Sequence, residues 1–251
     1  MKDLLTLWKH TRMVVLVALT AAVYAAILIP FKVAIPIIPG FTEVRPANVI
    51  PVICSLMFGP AAAWGAAFGN LAGDIYGGTF GPGSAFGFVG NFLYGYLPYK
   101  LWAHRPRRLA ANEPAMTSAR QVVDYAAAAV LASAACAFVI AWGVNALGLV
   151  PFAVLGPIIA TNNAAVAIIL GPPLMRILYP RVRRWGLLYQ DVMPAEDLSR
   201  GRLALVGAFL VVITAIPGLV TGAALAGAFT ADVTFATAPL VAAMLIGAAL
   251  L

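Results

Sequence analysis

The sequence predicts an all-α integral membrane protein, and composition, apolar runs and charge placement together support this class. Of the 251 residues, 63% are hydrophobic and 10% are charged, and the mean hydropathy is +0.95. Soluble domains carry about 45–50% apolar and about 25% charged residues. The chain therefore has too few charges to cover a water-facing surface of its size, which excludes an ordinary soluble enzyme and a disordered protein.

Eight apolar stretches are the candidate membrane spans, since a spanning helix needs about 20 mostly apolar residues. The first, 13–31, follows a basic segment as a signal peptide does. It is longer than the usual signal-peptide core of about 7–15 residues, so we interpret it as a retained helix. The second and third are short and meet at Gly59-Pro60, which predicts a tight connection. The later candidates are 46–59, 60–77, 83–103, 121–147, 158–179, 203–226 and 236–251.

The basic residues test this helix count, because Lys and Arg collect on cytoplasmic loops. With the N-terminus in the cytoplasm and alternating spans, 14 of the 16 Lys and Arg residues fall on the cytoplasmic side. Lys32 and Arg45 are the two exceptions. The pattern predicts a multi-pass protein of the cell (inner) membrane, with 104–120 and 181–202 facing the cytoplasm. It also explains the net charge of +7 without a nucleic-acid partner.

The order of the spans predicts three units. A six-helix substrate-binding membrane domain covers 1–185, a cytoplasmic interfacial linker of mixed charges and aromatics covers 186–202, and a two-helix membrane extension covers 203–251. No ATP-binding P-loop, CxxC or Cys/His cluster occurs in the sequence. No His or Cys lies beside another such group in any span, so neither an enzyme nor a metal or cofactor site is predicted.

Polar side chains within the spans are the main functional indication, because they are costly in a bilayer and usually face a cavity or a partner. The topology places six of the seven asparagines at mid-membrane or in the outer half. This asymmetry predicts an outward-opening pocket for an uncharged or zwitterionic heterocycle, on which Tyr76, Phe86, Tyr94 or Trp142 would stack. The alternative is that the amides hold helices together. The candidate binding residues are Glu43, Arg45, Asn48, Asn70, Asp74, Ser84, Asn91, Tyr94, Asn145, Asn162 and Asn163.

A row of small residues marks the first span, where Ala18, Ala22 and Ala26 recur every four residues and so share one helix face. Small residues let membrane helices approach closely. The row predicts a docking face for another membrane subunit, whereas the glycine rows of the third and fourth spans predict internal packing.

The stretch TEVRPANVIPVICSLMFGPAAAWGAAFGNLAGDIYGG, residues 42–78, resembles the central block of the substrate-binding S components of energy-coupling factor (ECF) transporters. The resemblance rests on Phe58-Gly59-Pro60, Trp64-Gly65-Ala66 and the run from Gly69 to Asp74, and it covers about residues 10–185. The R-P-A-N-V-I-P run is loosely similar to the QueT-like branch, which is linked to queuosine precursors.

The resemblance implies a subunit that captures a vitamin or related small heterocyclic metabolite outside the cell. Such a subunit associates with a transmembrane coupling subunit, here through the alanine row, and with two cytoplasmic ATPases. Family binding sites use the loop after the first helix and the outer halves of the fourth to sixth helices. These regions hold Glu43, Arg45, Ser84, Asn91, Asn145, Asn162 and Asn163.

Two features leave alternatives open. Residues 203–251 depart from the six-helix pattern, so the resemblance assigns them no role. An ion-coupled secondary transporter of a small metabolite is the alternative function. It would need internal repeats and midplane carboxylates, for which Asp74 alone is thin support.

Overall fold

The computed structural model describes residues 2–34, 36–38, 42–43, 45–103, 113–198, 203–225 and 231–251. Within these ranges the chain forms a helical bundle with one short β-hairpin. Five of the described helices are long and apolar enough to cross a membrane. The predicted all-α membrane fold is therefore confirmed.

The N-terminal third forms a short surface helix, a long helix and a hairpin. Helix α1 spans Lys2–Thr6 and α2 spans Thr11–Ala34. The antiparallel strands β1 (Pro36–Ile38) and β2 (Thr42–Glu43) follow. Helix α3, Val49–Phe58, then returns into the bundle.

Helix α3 is shorter than the apolar stretch 46–59 that the sequence predicts as a membrane span. Its ten residues are all buried, and at about 1.5 Å per residue they cover only about half of a hydrocarbon core about 30 Å thick. The segment is apolar because α4, α5 and α7 surround it, not because lipid does. Gly59, at a φ of +55°, makes the turn that ends it.

The centre of the molecule consists of four long helices in sequence. They are α4 (Pro60–Tyr76), α5 (Gly83–Ala103), α6 (Ala119–Ala146) and α7 (Phe152–Arg184). Each packs on the one before it, and α2 packs on α4. Glycine makes the α2–α4 contact close, because a side-chain carbon at Gly69 would lie 2.9 Å from the Ala21 carbonyl oxygen. This agrees with the packing role predicted for the glycines of the third span, 60–77.

The C-terminal part adds α8 (Tyr189–Val192), α9 (Ala204–Leu225) and α10 (Ala231–Leu250). Helices α9 and α10 pack against each other and against α6, and α9 also packs against α7. Many of their outward side chains are exposed and apolar, as expected for surfaces that face lipid.

Two of the described basic residues assigned to the cytoplasmic side, Lys2 and Lys100, meet acidic partners at one end of the bundle, here called the α1 end. Lys2 Nζ lies 3.6 Å and His10 Nε2 3.0 Å from the Asp197 carboxylate. Asp3 pairs with Lys100 Nζ at 2.8 Å. This clustering agrees with the charge-based topology, while the orientation of this end toward the cytoplasm stays a prediction.

Candidate functional site

A cavity of about 200 Å³ lies at the opposite end of the bundle, among α2, α4, α5, α6 and α7. One side of its wall is polar, and the facing side is aliphatic. The polar side comprises Lys32, Arg45, Asn70, Asp74, Thr79, Ser84 and Asn91. The aliphatic side comprises Ile140, Val144, Leu149, Leu155 and Ile159.

The polar side is built around the carboxylate of Asp74. One of its oxygens pairs with Lys32 Nζ, which also donates to Thr79 Oγ1 at 2.9 Å. The other oxygen accepts a longer bond of 3.3 Å from Asn70 Nδ2, and Asn70 Oδ1 accepts from Arg45 Nη1 at 3.4 Å. Since a carboxylate has about four acceptor positions, Asp74 retains capacity for N–H groups of a ligand.

Local sequence explains why these groups converge. Asn70 and Asp74 are four residues apart on α4 and therefore share a face. Helix α5 approaches this face at Gly87, where a side-chain carbon would lie 3.0 Å from Asn70 Nδ2. Ser84 Oγ accepts from the Gly81 amide at 3.2 Å and so shapes the turn that begins α5.

Asn91 connects the cavity to helix α2. The hydroxyl of Tyr24 lies 3.0 Å from Asn91 Oδ1 and 2.9 Å from Asn48 Oδ1. A hydroxyl carries one proton and donates it to one acceptor in full. When Tyr24 donates to Asn48, the Asn91 oxygen is available to a donor in the cavity.

A second layer of buried polar groups supports this arrangement from beneath. Asn48 Nδ2 donates to Asn163 Oδ1, and Asn163 Nδ2 lies 3.7 Å from the Cys136 sulfur. The Tyr94 hydroxyl lies 3.0 Å and 3.1 Å from the backbone carbonyl oxygens of Asn48 and Asn163. The network joins the residue that precedes α3 to α5, α6 and α7, so it fixes the position of the layer beneath the cavity.

The predicted binding residues fall into four groups. Those in the cavity wall are Arg45, Asn70, Asp74, Ser84 and Asn91. Those beneath it are Asn48, Tyr94 and Asn163. Those outside the described wall are Asn145 and Asn162. The side chain of Glu43, in strand β2, lies outside the described part of the chain.

Asn145 follows the alternative reading, in which an amide joins helices. Its Nδ2 donates to Thr234 Oγ1 at 2.9 Å, and its Oδ1 accepts from the Phe152 amide at 3.0 Å. Its depth in the membrane fits the predicted pocket, but both ends of the amide are already bonded to protein.

The expected aromatic stacking surface is absent from the described cavity wall. Tyr76 is 77% exposed on the surface of the bundle. Tyr94 is buried in the layer beneath the cavity. Phe86 and Trp142 contact each other, with ring centroids 6.1 Å apart. Aliphatic side chains of α6, α7 and the loop between them take their place and give a ring an apolar surface to contact.

The structure adds three residues that the sequence did not predict for the site, namely Lys32, Thr79 and Tyr24. The charge bias could have identified Lys32, because its two exceptions, Lys32 and Arg45, both lie in the cavity wall. Tyr24 lies between Ala22 and Ala26 in sequence, but it is fully buried while both alanines are exposed. Ala18 is exposed as well. The alanine row thus lies on the side of α2 that the bundle leaves uncovered.

Comparison with known families gives one match. The model of the family described as QueT transporter matches residues 14–180, from the first turn of α2 to near the end of α7. The matched region contains every described residue of the cavity wall, whereas α8, α9 and α10 follow it. Neither a curated protein nor a solved structure matches the chain.

Proposed function

The chain belongs to the QueT transporter family, and we propose that it is the substrate-capture subunit of an ATP-driven importer of the ECF type. The substrate we propose is a queuosine precursor, a small heterocycle related to the vitamins. The observation that supports this most is the cavity, in which a carboxylate, two amides and two cations face an aliphatic wall.

The cavity wall suits a 7-deazaguanine ring. Such a base is planar and presents adjacent N–H donors beside a carbonyl acceptor. Asp74 accepts from N–H groups, Arg45 donates to a carbonyl, and Asn70 and Asn91 do both. At about 200 Å³ the cavity is smaller than the about 300–1,000 Å³ of drug-sized pockets. The free base therefore fits the proposal better than its nucleoside, which carries a ribose as well.

The partners in this proposal are a transmembrane coupling subunit and two cytoplasmic ATPases. Ala18, Ala22 and Ala26 form an exposed row on α2 against which a partner helix packs closely. Tyr24, on the buried side of the same helix, contacts Asn91 in the cavity. Helix α2 thus links the ligand site to the proposed docking face.

The orientation in this proposal places the α1 end in the cytoplasm of the inner membrane and opens the cavity outward. Its support is the charge distribution, since Lys32 and Arg45 are the two basic residues of the described cavity wall. Cysteine-accessibility labelling of residues 113–118 from the outside would contradict this orientation.

The test of the coupling role is Ala22→Trp, with Ala224→Trp as the matched control. Both positions are exposed alanines in apolar helices, but Ala224 lies on α9, outside the family match. The probe is queuine, the 7-deazaguanine base of queuosine. We expect Ala22→Trp to abolish ATP-dependent uptake in the assembled transporter while the isolated protein still binds queuine.

Two outcomes would contradict the proposal. Normal uptake with Trp at position 22 would refute the docking face. Uptake by the chain alone in vesicles, with neither ATPases nor coupling subunit, would favour the ion-coupled secondary transporter.

A further inference from the structure

The cavity ends of α6, α7 and α10 meet at the side chain of Asn145. We propose that this junction holds the aliphatic wall of the cavity in place, and that Thr234 of α10 is a positioning residue for substrate binding. The proposal gives a role to the extension that follows the family match, and it rests on the proposed function of the cavity.

The junction consists of three hydrogen bonds. Asn145 Nδ2 donates to Thr234 Oγ1 at 2.9 Å, and the Trp142 indole donates to the Thr234 carbonyl oxygen at 3.0 Å. The Phe152 amide donates to Asn145 Oδ1 at 3.0 Å. Asn145 is only 6% exposed, so its amide depends on these protein partners. A single side chain thereby ties the end of α6 to the start of α7 and to α10.

The start of α7 needs such a partner. The first amides of a helix have no acceptor within the helix, and Pro151, at the N-cap position, makes no side-chain cap bond. Asn145 supplies the acceptor from α6 instead. Since Thr234 holds the other end of the same amide, α10 fixes the rotamer that serves α7.

The junction adjoins the cavity wall directly. Val144, which lines the cavity, precedes Asn145, and Leu155, which also lines it, is three residues after Phe152. Helix α9 supports the same place from behind, because a side-chain carbon at Gly222 would lie 2.5 Å from the Phe152 ring. Loosening the junction therefore lets α6 and α7 move apart at the aliphatic wall without removing any group of the polar wall.

The test uses the full chain with Thr234→Val, which removes the hydroxyl that Asn145 contacts. Thr234→Ser keeps a hydroxyl and should restore the wild-type behaviour. Thr237→Val is the matched control on the same helix, because its buried hydroxyl donates to the Val233 carbonyl of α10 itself at 2.6 Å. Hydrogen–deuterium exchange of the ligand-free protein and titration with queuine are the two measurements.

We expect Thr234→Val to speed exchange at 140–146 and 152–159 while leaving α4 unchanged. It should weaken queuine binding by about fivefold to tenfold, the scale set by one lost hydrogen bond. Thr234→Ser and Thr237→Val should bind within about twofold of the wild type.

The two measurements separate this proposal from the proposed function. The positioning role of Thr234 is wrong if hydrogen exchange at 140–146 is unchanged in Thr234→Val. It is also wrong if Thr234→Val binds queuine no more weakly than Thr237→Val does. Failure of the wild type to bind queuine overturns the proposed substrate. If the wild type does not bind queuine, hydrogen exchange still tests the junction. Faster exchange at 140–146 and 152–159 in Thr234→Val then supports it, and unchanged exchange there refutes it.

Discussion

Two buried ion pairs lie at opposite ends of the bundle, and they differ in what surrounds them. At the α1 end, Asp3 and Lys100 are 2.8 Å apart with both side chains fully buried. The Lys100 ammonium also lies 5.1 Å from the centre of the Tyr99 ring. At the other end, Asp74 pairs with Lys32, and both residues line the cavity.

The difference shows how one kind of interaction serves two purposes. Protein atoms enclose the Asp3–Lys100 pair, so its contribution is to anchor the N-terminal segment to α5. The Lys32–Asp74 pair borders an open volume, and its carboxylate keeps acceptor positions that protein does not fill. We therefore assign stability to the first pair and ligand recognition to the second.

The largest effect is expected from Asp3→Asn. It leaves the buried Lys100 cation without its carboxylate partner, and breaking a buried pair in this way costs about 3–5 kcal/mol of the unfolding free energy. Reversible unfolding in detergent measures the loss. Lys100→Met in the same chain should recover most of it, because a charge is then no longer buried. Wild-type stability in Asp3→Asn alone would contradict the enclosed character of this pair.

Asp74→Asn tests the ion pair that borders the cavity. It should weaken queuine binding by about 1–3 kcal/mol, or roughly 5- to 150-fold, through the lost acceptor. Its unfolding free energy should fall less than that of Asp3→Asn, since water in the cavity can solvate Lys32. The assignment is wrong if Asp74→Asn destabilises the fold as much as Asp3→Asn and leaves the affinity intact.

Asn91→Ala tests the polar side of the cavity wall, with Asn162→Ala as its counterpart. The sequence predicts both residues in the pocket, but only Asn91 lines the described cavity. We expect Asn91→Ala to weaken queuine binding by about 1 kcal/mol or more, about fivefold. Titration of both variants with queuine measures the two affinities. An equal loss of affinity in Asn162→Ala would place the ligand closer to α7 than the described cavity lies.

The smallest effect concerns pH at the α1 end. The hydrogen bond from His10, assisted by the charge of Lys2, lowers the pKa of Asp197 below its ordinary value. A carboxyl whose pKa is lower in the folded protein stabilises it above the unfolded pKa, near 3.9, and loses this contribution as pH falls through the folded value. Because Asp197 is partly exposed, we expect only a small fall at low pH in the hydrogen-exchange protection factors of residues 2–10, which already allow for the slower intrinsic exchange in acid.

Asp197→Asn is the control for this pH effect. It should show the lower protection factors at neutral pH already, and they should then change little on acidification. A pH response in Asp197→Asn equal to that of the wild type would assign the effect to another group.

The sequence predicts the membrane fold, the order of the helices and the cavity end of the bundle, because hydropathy and charge report depth along the membrane normal. It does not predict which way a side chain faces at that depth. Asn91 and Asn145 both lie toward the same end, but Asn145 bonds to Thr234, 89 residues later in the chain. Composition alone likewise does not separate α3, which is apolar because protein buries it, from a helix that faces lipid.

The most direct test of the proposed function is titration of queuine into the purified full chain without coupling subunit or ATPases. We predict saturable binding to one site per chain, a strong loss of affinity in Asp74→Asn, and unchanged affinity in the folded fraction of Asp3→Asn. A concentration of about 100 times the dissociation constant should stabilise the wild type by about 2.7 kcal/mol. The absence of binding, or equal affinity in the wild type and Asp74→Asn, would contradict the assignment of this cavity as the substrate site.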